Sequence, residues 1–157
     1  MEPLTKQVKV RRAKSDDDVP WDLLLSADGP RFEVQKYIDR GEMRLAEFED
    51  NVLGVMVLMP TRCDVLEIMN LAVLRKSQRK GVGTALLKKA KQLASQRGAH
   101  FLEVGTGNTG VGQLMFYQRF GFRIVGVDQD FFVRRWKKAW KQDGIELRDM
   151  VRLTISL

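Results

Sequence analysis

The chain has 157 residues, 44% of them apolar, which is enough for one domain (1–157) whose core needs neither disulfides nor a structural metal. Its single cysteine, Cys63, excludes an intramolecular disulfide and a thiolate zinc site, and its single histidine, His100, has no serine or carboxylate in a motif context that would make a Ser-His-Asp triad. The formal net charge of +7 favours anionic partners, among them nucleic acid, an acidic membrane surface and phosphorylated small molecules, without choosing among them.

Met1 to Lys14 is polar and basic with no apolar signal-like segment, and no apolar run is long enough to cross a bilayer, so a cytoplasmic location is expected. Lys6 to Arg12 alternates apolar and charged residues around Val8 and Val10 and predicts a first strand. Asp16, Asp17 and Asp18 followed by Pro20 read as acidic caps and a first-turn proline for a short helix through Leu23–Leu25, and Pro30 opens a second helix that Gly41 ends. Glu42–Glu49 and Leu53–Met59 read as a hairpin, with Pro60 stopping its second strand. Val65–Leu74, apolar on both faces, predicts a central strand.

From Gly81 to Arg97 the period becomes helical, with Val82, Leu86, Ala90 and Leu93 on one stripe, and Gly98 supplies the stop. Phe101–Val104 is a short strand, Val111–Phe120 a helix closed by Gly121, and Arg123–Val127 and Leu147–Ile155 are two last strands flanking a basic aromatic insertion, Phe131–Lys141. This order predicts an α/β architecture with a mixed sheet of about seven strands, covered on both faces by about four helices.

The segment Gln78-Arg79-Lys80-Gly81-Val82-Gly83-Thr84 falls between the central strand and the long amphipathic helix. A helix N-terminus presents unpaired N–H groups and the positive end of its dipole, and Gly81 and Gly83 lack a Cβ that would hold an anion away. Arg79 and Lys80 add charge beside this cradle, which suits a pyrophosphate.

Together with Met69-Asn70-Leu71-Ala72-Val73 and Tyr117-Gln118-Arg119-Phe120-Gly121-Phe122, the segment resembles the GNAT superfamily of N-acetyltransferases, over Val65–Val127 in particular. The resemblance implies the GNAT fold, with a mostly antiparallel sheet, and acetyl-CoA as co-substrate. It also implies cofactor contacts from Leu71, Ala72, Val73, Gln78, Arg79, Lys80, Gly81, Val82, Gly83 and Thr84, and a cleft between the strands ending near Val73 and Val104 that receives the pantetheine arm as an added strand would. By the same resemblance a main-chain N–H around Leu71–Val73 is the oxyanion donor, Tyr117 protonates the departing sulfur, and Glu103, in a Leu-Glu-Val similar to that of ribosomal-protein alanine acetyltransferases, is the base. Glu67 is the second candidate, and a water chain or selection of the neutral amine stays open. The family's Asn-x-x-Ala has no counterpart, because Gly110 stands at its position; Asn108 is the nearest asparagine, on a Gly105–Gly110 loop expected to reach the cofactor by another path.

Two rival readings use other residues. Gly105-x-Gly107-x-x-Gly110 with Asp128 beyond it has the form of a dinucleotide fingerprint, although too little chain follows for a Rossmann domain. Phe132, Trp136 and Trp140 at four-residue spacing, interleaved with Arg134, Arg135, Lys137, Lys138 and Lys141, suit a nucleic-acid or membrane-surface module, or a helix stripe covering the core or a second copy in a homodimer. The amine acceptor itself carries no sequence code.

Overall fold

A computed structural model describes residues 4–157. After a 3-10 turn at Leu4–Lys6 come β1 (Lys9–Arg12), α1 (Trp21–Ala27), α2 (Arg31–Arg40), β2 (Glu42–Phe48), β3 (Asn51–Arg62) and β4 (Val65–Val73). Then follow α3 (Val82–Gln96), β5 (Phe101–Gly107), α4 (Val111–Phe120), β6 (Arg123–Asp128), α5 (Phe131–Arg135), the two-residue strands β7 (Lys141–Gln142) and β8 (Ile145–Glu146), and β9 (Met150–Ser156). Seven strands form one sheet in the order β1-β2-β3-β4-β5-β9-β6, antiparallel throughout except for the β4–β5 pair.

Two apolar clusters cover the two faces. Leu23, Leu24, Val34 and Tyr37 of α1 and α2 pack on Leu45, Val55, Val57 and Ala72. Val82, Leu86, Leu87 and Ala90 of α3, with Tyr117 of α4, pack on Met56, Leu66, Ile68, Leu102, Val104 and Leu153. Alternation along the strands turns Glu67 and Glu103, flanked by Leu66 and Ile68 and by Leu102 and Val104, toward the α1/α2 face.

Several elements differ from the sequence reading for identifiable reasons. Pro60 does not stop β3: it pairs with Leu66 beside a register shift before Arg62, and a bulge is where a strand tolerates a residue without an N–H. Asp17 does not cap α1; its carboxylate takes two guanidinium hydrogen bonds from Arg11, at 2.7 and 2.8 Å, and one from the Lys14 amide, while Pro20 occupies the N-cap. The first strand starts at Lys9, because the preceding turn is tied by the Leu4 amide to the Lys80 carbonyl at 2.8 Å. β5 runs on to Gly107, since Gly105, Thr106 and Gly107 pair with Arg152, Val151 and Met150 of β9. A strand laddered to an antiparallel neighbour is no phosphate loop, so the dinucleotide reading fails there.

The basic aromatic segment is not one helix. Only Phe131–Arg135 is helical, and Phe132, Trp136 and Trp140 stack through the following turn with ring centroids 4.9 and 6.2 Å apart. Two of its cations are held internally: Arg135 reaches Asp28 and Glu33, each at 3.2 Å, and Arg134 reaches Asp128 at 2.7 Å. The segment is thus a clip fastening the end of the sheet to α1 and α2.

Candidate active site

The central event in the sheet is that β4 and β5 part company. They pair in parallel from Val65↔Phe101 to Ile68↔Val104 and no further, while each continues along its other neighbour, β4 to Val73 against β3 and β5 to Gly107 against β9. A bulge explains the divergence: Val57 faces Asn70 and Leu58 faces Ile68, so Met69 is left without a partner and bends β4 away from β5. Beyond the bulge one edge of β4 has no strand beside it.

Main-chain direction along that edge follows from one bond. The Leu74 amide bonds the Leu53 carbonyl of the β3 strand at 2.8 Å, and alternation in an antiparallel ladder then points the main-chain groups of Ala72 at β3 and those of Leu71 and Val73 into the gap. Gln78 bonds the Val73 carbonyl through Nε2 at 3.1 Å, which leaves both groups of Leu71 and the Val73 amide facing the gap. Ala72, whose side chain is buried against α1 and α2, offers the gap neither its N–H nor its C=O.

At the end of β4 lies the N-terminus of α3. Gly81 is its N-cap at φ +91°, no side chain caps it, and the N–H groups of Val82, Gly83 and Thr84 have no protein partner among the described residues. Arg79 and Lys80 are exposed beside it. The two glycines, however, also stand where packing leaves little room for a Cβ. A Cβ on Gly81 would lie 1.8 Å from the Thr5 hydroxyl oxygen, and one on Gly83 would lie 2.9 Å from Phe116 Cζ. Val82 is buried, so it offers the cradle its N–H alone. Gly81→Ala is therefore expected to destabilise the fold by roughly 1–3 kcal/mol, from left-handed strain plus displacement of Thr5, read as a lower urea midpoint. A midpoint equal to that of the parent would show that Thr5 and the turn move aside freely.

Tyr117 belongs to the α3/α4 face, where it packs between Phe116 and Phe122 at 5.3 and 5.6 Å. Gly121, at φ +122°, and Phe122 both return their amides to the Tyr117 carbonyl, the left-handed helix end expected from the Gly-Phe pair. Its hydroxyl has no hydrogen-bond partner among the described residues, and burial pushes the phenol up to about 12, so it stays protonated.

On the opposite face Glu67 and Glu103 are cross-strand neighbours, one residue short of the point where the strands separate. They line an open groove with Thr61, Arg62, Val125, Gly126, Val127, Asp128 and Arg152. Burial raises the proton affinity of Glu67, against the opposing charge of Arg152, whose Nη1 donates to Oε1 at 2.9 Å. Next along the same face Asn70 donates to the Leu24 carbonyl at 3.0 Å and to the Tyr37 hydroxyl at 2.9 Å, and Tyr37 in turn donates to Asp28 at 3.0 Å. Desolvation raises the proton affinity of Asp28 and makes the Tyr37 hydroxyl a still weaker acid than free tyrosine.

The structure thus brings together Leu71, Val73, the α3 N-terminus, Glu67 and Glu103, and sets Tyr117 in the core of the opposite, α3/α4 face of the sheet. It does not bring Asn108 there. Oδ1 of Asn108 accepts from the Arg148 and Asp149 amides at 2.9 and 3.1 Å and its Nδ2 donates to the Glu146 carbonyl at 3.0 Å, so this side chain clamps the segment before β9. The sequence reading missed Arg62 and Arg152 and took Asp128 only as part of the dinucleotide fingerprint; all three reach the groove through pairing of distant strands, which leaves no local signal.

A split parallel pair in an otherwise antiparallel sheet, with a bare helix N-terminus at the end of the opened strand, is the arrangement that the resemblance to the GNAT acyltransferases implies. The profile of the Acetyltransferase (GNAT) family matches residues 13–122, and the chain belongs to that family; acetyl-CoA fits as its co-substrate. It is 40% identical over 152 residues to the uncharacterized N-acetyltransferase YvbK of Bacillus subtilis, covering 97% of this chain and 98% of that protein. Among solved structures, a GNAT family acetyltransferase from Elizabethkingia anophelis with acetyl-CoA bound superposes with a TM-score of 0.93 at 35% identity, over 96% of this chain and 99% of the other. The IAA acetyltransferase of Bacillus cereus superposes at 0.89 with 41% identity and the same coverages. Among the described residues no helix is long and apolar enough to cross a membrane.

Proposed function

We propose that the chain transfers an acetyl group from acetyl-CoA to a primary amine by direct attack across the opening between β4 and β5. The observation that carries this reading is the opening itself, which joins two differently equipped faces of the sheet at the end of a helix whose first amides are free. The diphosphate sits on the N–H groups of Val82, Gly83 and Thr84, with Arg79 and Lys80 beside it. The pantetheine amides pair with the free edge of β4 at Leu71 and Val73, one of whose N–H groups polarises the thioester carbonyl.

The amine approaches from the α1/α2 face. As its nitrogen bonds the carbonyl carbon, its proton passes to the Glu67–Glu103 pair, directly or through water. The C–S bond then breaks toward the α3/α4 face, where the neutral Tyr117 hydroxyl donates to the sulfur and becomes the source of the thiol proton. Glu103 and Glu67 are alternatives in sequence but neighbours in space, and the buried Glu67 holds a proton more readily than a solvated glutamate does. Asn108 acts as a structural clamp in this scheme, and Gln78 sets the turn into α3.

Arg79→Gln and Lys80→Gln test the cradle without touching the core, since both side chains are exposed. Each is expected to weaken acetyl-CoA binding roughly three- to tenfold in calorimetry and to flatten its salt dependence. Wild-type affinity in the double variant would remove the diphosphate from this turn. Release of free CoA thiol with an amine panel tests the transfer itself.

A further inference from the structure

The groove below the opening has a charge pattern that a plain amine does not answer. Glu67, Glu103 and Asp128 share it with Arg62 and Arg152, and Val125, 59% exposed, supplies an apolar contact from the edge strand β6 beside the bare Gly126. Its volume of about 550 Å³ suits a small molecule. The two carboxylates nearest the opening are the natural dock for an ammonium. Neither arginine is fully engaged by them.

Arg152 uses Nη1 on Glu67 at 2.9 Å, while its Nη2 stands 3.8 Å from Asp128, beyond hydrogen-bond reach. Its guanidinium is held in place from the other side by the Phe131 ring, at 5.6 Å from the centroid. Arg62 is two-thirds exposed and only 3.6 Å from Glu103, also too long for a hydrogen bond. Both therefore keep donors directed at no protein partner, within a groove whose other pole is anionic. A guanidinium fork with free donors matches a carboxylate in two-point geometry. A polyamine, by contrast, would bring further positive charge against these arginines and against a chain of net charge +7.

We propose that the acceptor is a small amine bearing its own carboxylate, an amino acid with an apolar side chain, whose ammonium docks on Glu67 and Glu103 and whose carboxylate docks on Arg152 and Arg62. This rests on the acyl-transfer reading and specifies its substrate class. The apolar side chain lies along Val125 and over Gly126. Selectivity comes from the arginines, because an amine without the carboxylate leaves their donors unanswered.

The test compares matched pairs that differ only in the carboxylate, phenylalanine with phenethylamine and leucine with isoamylamine, with spermidine as the polycation. Thiol release from acetyl-CoA is followed in the full chain. The expected kcat/KM for the amino acid is at least about tenfold above that of its matched amine and of spermidine. Arg62→Gln, at an exposed position, and Arg152→Gln are each expected to reduce that ratio about tenfold or more, with acetyl-CoA affinity as the internal control. A wild-type ratio of one or below, a preference for spermidine, or an unchanged ratio in both variants overturns the substrate class while leaving acyl transfer standing. Failure of every amine to release thiol, with acetyl-CoA still bound, overturns the acyl-transfer reading and this inference with it.

Discussion

Replacing both groove glutamates at once, Glu67→Gln with Glu103→Gln, is expected to lower kcat by about a thousandfold at neutral pH while leaving acetyl-CoA affinity nearly unchanged. The two side chains are cross-strand neighbours and line one groove, so under the proposed mechanism either would take the amine proton when the other is lost. Each single variant is accordingly expected to lose far less than the square root of the double loss would suggest. Glutamine keeps an oxygen for Arg152 and for Arg62, which separates loss of the base from loss of packing. Steady-state kinetics with calorimetry of acetyl-CoA binding checks this.

The pH profile gives the sign. Burial raises the proton affinity of Glu67 above the ordinary glutamate value of 4.5, and only its ionised form accepts a proton. The acid limb of kcat/KM for the amine should therefore fall away at a pH higher than a solvated glutamate would set, and Glu67→Gln should move that limb. A double variant with wild-type kcat at every pH would mean that the amine arrives already neutral and that the glutamates serve binding alone.

Tyr117→Phe is the second large effect, an expected loss of roughly a hundredfold in kcat with acetyl-CoA affinity changed by less than about threefold. The phenol, pushed up to about 12 by desolvation, is a weaker acid than an alkyl thiol near 8.5. Transfer to a free thiolate would run uphill, so in the proposed mechanism the hydroxyl acts first as a hydrogen-bond donor to the charge growing on sulfur. On that scheme the proton would follow as the C–S bond breaks, and the proton left on the glutamates would restore the phenol through solvent. Phenylalanine fits the same space between Phe116 and Phe122, so the variant should keep the fold. Equal turnover of parent and variant across the pH range would leave Tyr117 a packing residue.

Much of the architecture was legible in the chain because its signals are local. The helical stripe of Val82, Leu86 and Ala90, the Gly98 and Gly121 stops and the branched run of β4 each report a period or a backbone angle that neighbouring residues set. Pro60 misled because a proline in a strand is decided by whether a bulge lies there, a property of the pairing with β4. Gly105 and Gly107 misled for the same reason: their bare Cα atoms accommodate Met150 and Leu147 from the far end of the sequence. Gly81 was singled out for an anion, and its φ of +91° and its neighbour Thr5 account for a glycine there as directly as an anion does.

By itself the amino-acid sequence determined the family, the order of strands and helices, and the basic turn before α3, since all three depend on residues within one element or its ends. Only the tertiary structure decided that the two candidate bases stand side by side, that Ala72 faces β3 while Leu71 and Val73 face the gap, that Asn108 is a clamp, and that Arg62, Asp128 and Arg152 complete the groove. These are matters of register between strands far apart in the chain. A one-residue bulge at Met69 opens the gap between β4 and β5 without altering the apolar pattern from which the strands are read.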